Sequence, residues 1–374
     1  KNSLKPGAPI MVLLKSLYGL NDAPRACFVR LRNALYELGC RSCSCSQGRI
    51  YWCDPNDEEL DIKDFRSYET ATKQADPVEL INKKRIAGLI SLHVDDLAVG
   101  GTSRFHEMVW KPLQEMFTVG SLERNVFMHC GRKISTSEIT KGPNAGKFKI
   151  HLDQSEYAKN MSSITSFSSS DSADTLLSEA GHSEYRTVIG EISWLTGQSA
   201  PEHGFITSRL SSKLHAPTVG DARVANKVSK FIRENADDLK LTYVPSVDGK
   251  IYQYTCSDAG FRTNEDMSSQ CGQITLLVGT PVDGVSPILG VLDWKSARLR
   301  RICHSSMGSE VLGAASAISS SDYYRGLLKE IGLLTLDTGF VAVDAGNLSL
   351  TCQSDTQPKQ KNLLADIALI RQRC

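Results

Sequence analysis

The chain has 374 residues, 41% of them hydrophobic, and its 43 Lys and Arg nearly match its 42 Asp and Glu, for a formal charge of +1. That length allows two or three domains, each with its own core; no apolar run reaches the roughly 20 residues of a membrane-spanning helix, and the N-terminus lacks a signal-peptide pattern. The balanced charge excludes nucleic-acid binding through a global basic excess, and eleven scattered cysteines exclude a secreted disulfide framework and imply an intracellular chain, cytoplasmic or nuclear.

Residues 23–39 are predicted to form an amphipathic helix, with Cys27, Phe28, Leu31, Leu35 and Leu38 at helical spacing and Gly39 as its stop. Cys40, Cys43, Cys45 and Cys53 follow. Their spacing is unusual for a tetrahedral zinc site and no second ligand pair follows, so reduced cysteines in a loop are expected. Residues 54–80 read as a long polar, acidic loop. Next, the apolar run Ile86 to Leu92 leads into His93-Val94-Asp95-Asp96 and then Leu97-Ala98-Val99. This pattern predicts a β-hairpin with carboxylates at its tip. Two like charges there cost free energy unless a cation takes up the charge; a plain acidic turn is the alternative.

A helix is expected near 103–117 and a strand running into a helix at 148–158. Residues 162–183 are rich in Ser without periodicity and read as a flexible linker. Helices are predicted near 183–198, 202–213 and 220–235, the last with Val224, Val228, Phe231 and Ile232 on one face. Strands follow at 239–244, 250–257, 271–279 and 288–294, then a long helix at 306–331, a strand at 340–344 and a last helix at 360–372.

Four acids stand at suggestive places in this second half. Asp258 closes a strand pattern, Glu310 begins the long helix, Asp344 ends a strand, and Asp366 lies in the final helix. Each has a plain explanation: a turn residue, a Glu favoured by the helix dipole, one acid among rivals such as Asp337 and Asp355, or a solvated helical acid. Lys295, Arg298, Arg300 and Arg301 surround the turn before the long helix, either to hold phosphates or as a solvated basic turn. Asp337-Thr338-Gly339 matches the aspartic-protease pattern, but one copy demands a homodimer and helices flank it, so a helix-to-strand turn is expected.

The stretch Leu14-Lys15-Ser16-Leu17-Tyr18-Gly19-Leu20-Asn21-Asp22-Ala23-Pro24-Arg25-Ala26, followed by the Asp95-Asp96 hairpin, resembles the reverse transcriptase of copia-type LTR retrotransposons. Tyr185 to Leu195 resembles the start of that family's helical connection, and the four later acids resemble its ribonuclease H series. The resemblance spans about residue 8 to 372. It implies an α/β chain: a partial α+β palm and thumb (1–161), the linker (162–183), a helical connection (184–248) and a ribonuclease H-like α/β domain (249–374).

It also implies chemistry. Asp95 and Asp96 would be polymerase ligands, and Asp258, Glu310, Asp344 and Asp366 would hold two Mg²⁺ (or Mn²⁺) ions about 3.5–4 Å apart, Asp258 bridging them; hard carboxylate oxygens suit such ions. The implied partners are an RNA–DNA hybrid or template–primer and other Pol-derived chains, with no membrane. Several departures stand out. The family's third polymerase Asp lies upstream of the Tyr18-Gly19 segment, before this chain begins; Cys27 replaces a large aromatic residue, His93 a Tyr, and Gly260 a further acid. The expectation is an N-terminally truncated fragment with its polymerase inactive and poorly soluble without a partner. RNA hydrolysis could survive; the alternative is a catalytically dead remnant that binds nucleic acid.

Overall fold

A computed structural model describes residues 23–44, 46–55, 86–94, 96–335, 339–354 and 361–373. The Tyr18-Gly19 segment, the 56–85 stretch, Cys45, Asp95, Asp337 and Thr338 lie outside these residues. Within them the chain is an α/β protein in two units, one running to Leu122 and taking in Glu330–Gly332, the other comprising the rest.

In the first unit the helical spacing of Leu31 and Leu35 becomes α1 (Ala23–Glu37). Four antiparallel strands follow in the order β1 (Arg41–Cys43), β2 (Ser46–Cys53), β3 (Ile86–His93) and β4 (Asp96–Gly101). The cysteine-rich stretch, expected as a loop, is thus two strands, because Ile50, Tyr51 and Trp52 are strand formers with buried side chains. The predicted hairpin is present: His93 pairs with Asp96, and Val94 sits at φ 56°. A helical run follows through α2 (Ser103–Phe105), a π turn (His106–Trp110) and α3 (Lys111–Met116). Fully buried Phe105 lies over Gly88 and Gly101, which are cross-strand partners, and a Cβ at either would come within 2.4 Å of the ring. Only glycine allows so close an approach.

The second unit opens with a meander, β5 (Val126–His129), β6 (Arg132–Glu138) and β7 (Phe148–Asp153), then α4 (Ser155–Lys159). Three helices follow: α5 (Glu179–Gln198), α6 (Gly204–Ser211) and α7 (Val219–Glu234). Strand β8 (Lys240–Tyr243) then returns to pair with β7. Residues on both sides of the Ser-rich stretch therefore share one sheet. The helices bury Tyr185, Ile189, Ile192, Leu195 and Ile232 together, each contributing about 1.5–3 kcal/mol. Thr218 and Asp221 form a capping box on α7, satisfying backbone groups that the first turn leaves unpaired. The face expected for α7 is out of phase: Ala222, Ala225, Ser229 and Ile232 are buried, while Val224 and Phe231 are exposed. Small residues let this helix pack closely, and the larger ones remain outside.

The Ser-rich stretch was expected to be a flexible linker. Up to Ser178 it is irregular, yet it is tied along its length to the helices. Ser162 N–H and Oγ both donate to Glu191 at 2.7 Å, and Ile164 exchanges two 2.8 Å bonds with the Asn226 side chain. The Glu184 carboxylate accepts from Thr165 and Ser166, and these bonds, the Ser166 hydroxyl foremost, hold its pKa down to about 2. Serine supplies bonds here that hydropathy patterning does not register.

The last sheet has the order β11-β10-β9-β12. Strands β9 (Tyr252–Gly260), β10 (Gln270–Val278) and β11 (Ile288–Arg298) are antiparallel, whereas β12 (Phe340–Val343) runs parallel to β9. The long α8 (Ser306–Glu330) makes the crossover that a parallel pair requires. Two helices end the chain, α9 (Gly346–Gln353), which sequence patterning missed, and α10 (Leu364–Arg373). Val311, Ala314 and Ile318 of α8 pack with Leu348, Ile367 and Ile370. The Trp294 indole donates to the Thr196 carbonyl at 2.8 Å, joining this sheet to α5.

If Glu184 pins the Ser-rich stretch, limited proteolysis within 162–178 should be slow in the native chain and several-fold faster in Glu184→Ala. Equal cleavage rates would return the stretch to a free linker.

Candidate metal centre

Strand alternation and one close contact build this site. On β9 the side chains of Gln253, Thr255, Ser257 and Ala259 are buried, and Asp258 projects the other way into solvent. Parallel pairing sets Val343 beside Ser257. The next residue along each chain is an acid, Asp258 two residues before β9 ends and Asp344 just past the end of β12, so the two lie side by side. Helix α8 supplies the third acid. Its Gly313 lies so near β9 that a Cβ there would stand 3.3 Å from both Ala259 Cβ and Ser257 Oγ. Glu310, one turn earlier, is thereby brought to the strand ends, where the Ala259 N–H bonds its carboxylate.

One carboxylate oxygen from each of Asp258, Glu310 and Asp344 lies within 4.8 Å of the others. Among the described residues this is the one group of three such ligands found. Burial foremost, then the charges of Asp344 and Asp258, push the Glu310 pKa up to about 7. Three crowded carboxylates of which one resists ionisation form a site that a divalent cation would stabilise. The all-oxygen donor set fits Mg²⁺ or Mn²⁺.

Asp366 is not brought into this group. Its carboxylate pairs with Arg301 Nη1 at 2.6 Å, and Arg301 Nη2 donates to the Asn362 carbonyl at 2.6 Å. Within the basic turn, Arg301 is therefore engaged, and Arg298 pairs with Asp266. Lys295 and Arg300 are exposed. In the first unit Asp96 opens β4 and is exposed. Cys40 and Cys43 are buried, and burial pushes the Cys40 thiol up to about 12, far from a ready thiolate. Sequence reading missed Gly313, whose signal is a small residue three positions after Glu310 on the same helix face.

Two outcomes test this geometry. Without divalent ions, Glu310 holds its proton more tightly folded than unfolded. Stability should therefore fall as pH rises from the ordinary value of 4.5 through about 7 and then level off. Thermal melts across this range should show that loss, Mg²⁺ should reverse it at pH 8, and Glu310→Gln should flatten it; a pH-independent difference between the two proteins would contradict the raised Glu310 pKa. Gly313→Val should cost about 1–3 kcal/mol by overpacking and abolish the Mg²⁺-induced rise in Tm. Wild-type Mg²⁺ response in that variant would remove Gly313 from the site's construction.

No described helix is long and apolar enough to cross a membrane. No family model and no solved structure matches the chain. It is 21% identical over 378 residues to the retrovirus-related Pol polyprotein from transposon RE1 of Arabidopsis thaliana, and 20% identical over 375 residues to that from transposon RE2 of the same plant. Each alignment covers 96% of this chain and 22% of the relative, so the chain spans about a fifth of their length. This distant similarity along nearly the whole chain supports a retroelement-derived protein.

Proposed function

We propose that the chain is a reverse transcriptase and ribonuclease H fragment of a retrotransposon Pol polyprotein, and that its chemistry is hydrolysis of RNA in RNA–DNA hybrids. The observation that carries this reading is the convergence of Asp258, Glu310 and Asp344 from two neighbouring parallel strands and the intervening helix. These three carboxylates would hold Mg²⁺ or Mn²⁺. When bound, the cation would activate water and offset charge on the phosphodiester. The chain's own residues prepare the place: Asp258 and Asp344 face solvent at the strand ends, and Glu310 is held by the Ala259 N–H. Near pH 7 Glu310 is partly protonated, so occupancy and activity should rise through neutral pH as it ionises.

Lys295 and Arg300, both exposed, would make phosphate contacts, with affinity falling as salt rises. Under the same reading the β3–β4 hairpin is the polymerase counterpart, with Asp96 and Asp95 as its acids. No polymerase activity is assigned to this chain, and template–primer or hybrid nucleic acid remains the proposed partner.

The second reading, a catalytically dead remnant that binds nucleic acid, is favoured by one observation. Asp366, the fourth acid of the implied centre, is occupied by Arg301. Mg²⁺-dependent cleavage of a labelled RNA–DNA hybrid separates the two. The nuclease reading expects cleavage that Asp258→Asn lowers by at least about 100-fold, as loss of a preorganised electrostatic group does. Intact hybrid after incubation with folded wild-type protein selects the remnant.

A further inference from the structure

We propose that Tyr254 and Phe340 form a stacking platform for an unpaired nucleobase, on the same sheet face that carries Asp258 and Asp344. The inference rests on the nuclease reading above. Strand alternation determines what this face holds. On β9, every residue turned toward α8 from Gln253 to Ala259 is buried, while Tyr254, Cys256 and Asp258 are not. On β12 the register sets Phe340 beside Tyr254 and Ala342 beside Cys256, with Asp344 one step past the pairing of Val343 and Ser257. The face therefore has three rungs: an aromatic pair, a pair of small side chains, and a pair of acids.

The two rings are stacked, with centroids 6.5 Å apart and planes 29° from parallel, and Phe340 is 44% exposed. Four residues separate the aromatic rung from the acids, about 13 Å at roughly 3.3 Å per strand residue. A nucleic-acid strand with its reacting phosphate at the acids would pass over the uncharged middle rung before reaching the rings. The occupant is argued from that continuity. A nucleic-acid strand lying along this face presents flat π-faces, and aromatic side chains take up such faces with little regard to sequence. Bases inside a duplex are already stacked, so the ligand is a base in a single-stranded overhang.

The test compares a blunt RNA–DNA hybrid with one carrying a short single-stranded overhang that contains 2-aminopurine, whose fluorescence falls on stacking. The full chain is used with Mg²⁺, and cleavage is followed in parallel. The platform predicts roughly 5- to 160-fold tighter binding of the overhang hybrid, quenched 2-aminopurine, and loss of both in Phe340→Leu while blunt-hybrid affinity and cleavage stay unchanged. Equal binding of the two hybrids by a wild-type protein that cleaves them sinks the platform alone, as does an undiminished overhang preference in Phe340→Leu. A wild-type protein that neither binds nor cleaves either hybrid removes the nuclease reading, and the platform with it.

Discussion

Parallel strands cannot be joined by a turn; the connection must cross a face of the sheet, usually as a helix. In this chain that crossover is α8, running between β11 and β12. The constraint does more than complete the sheet. It forces a helix across strand β9, and the register of β12 on β9 brings two acids to neighbouring strand ends. The closeness of that helix then decides whether a third acid can join them. Gly313 sets this distance, because its missing side chain lets α8 rest against Ala259 and Ser257. Three carboxylates from three elements thus follow from one pairing and one missing Cβ.

Such a cluster is a liability for stability. Like charges repel, and burial first, then the charges of Asp344 and Asp258, raise the pKa of Glu310. Elsewhere in the second unit three carboxylates meet cations directly: Glu265 meets Arg209 and Lys213, Asp266 meets Arg298, and Asp366 meets Arg301. Asp258, Glu310 and Asp344 instead crowd one another. Asp366, paired with Arg301, stands apart from that cluster.

Much of this was legible in the sequence where the signal is local. The short apolar segments on either side of His93 to Asp96 predicted a hairpin, and helical patterning placed α1, α5, α8 and α10 to within a few residues. Non-local causes were not legible. The pairing of Arg301 with Asp366 joins residues 65 apart, and nothing in either neighbourhood announces it. Strands β5 and β6 escaped notice because their turn uses Cys130 and Gly131 at φ 52° and 72°, an unusual pair for a tight hairpin. Helix α7 was read out of phase because its buried contacts are Ala and Ser, which hydrophobic patterning undervalues. The Ser-rich stretch looked free because its order comes from hydrogen bonds to Glu184, Glu191 and Asn226.

Asp258, Glu310 and Asp344 are proposed to bind a divalent cation together. Calorimetric titration of the full chain with Mn²⁺ at pH 8 tests this without requiring any catalytic turnover. Saturable binding that disappears in Asp344→Asn while the variant keeps its native melting behaviour is the predicted result. Identical binding isotherms for the two proteins, or no saturable binding by the folded wild type, would contradict it.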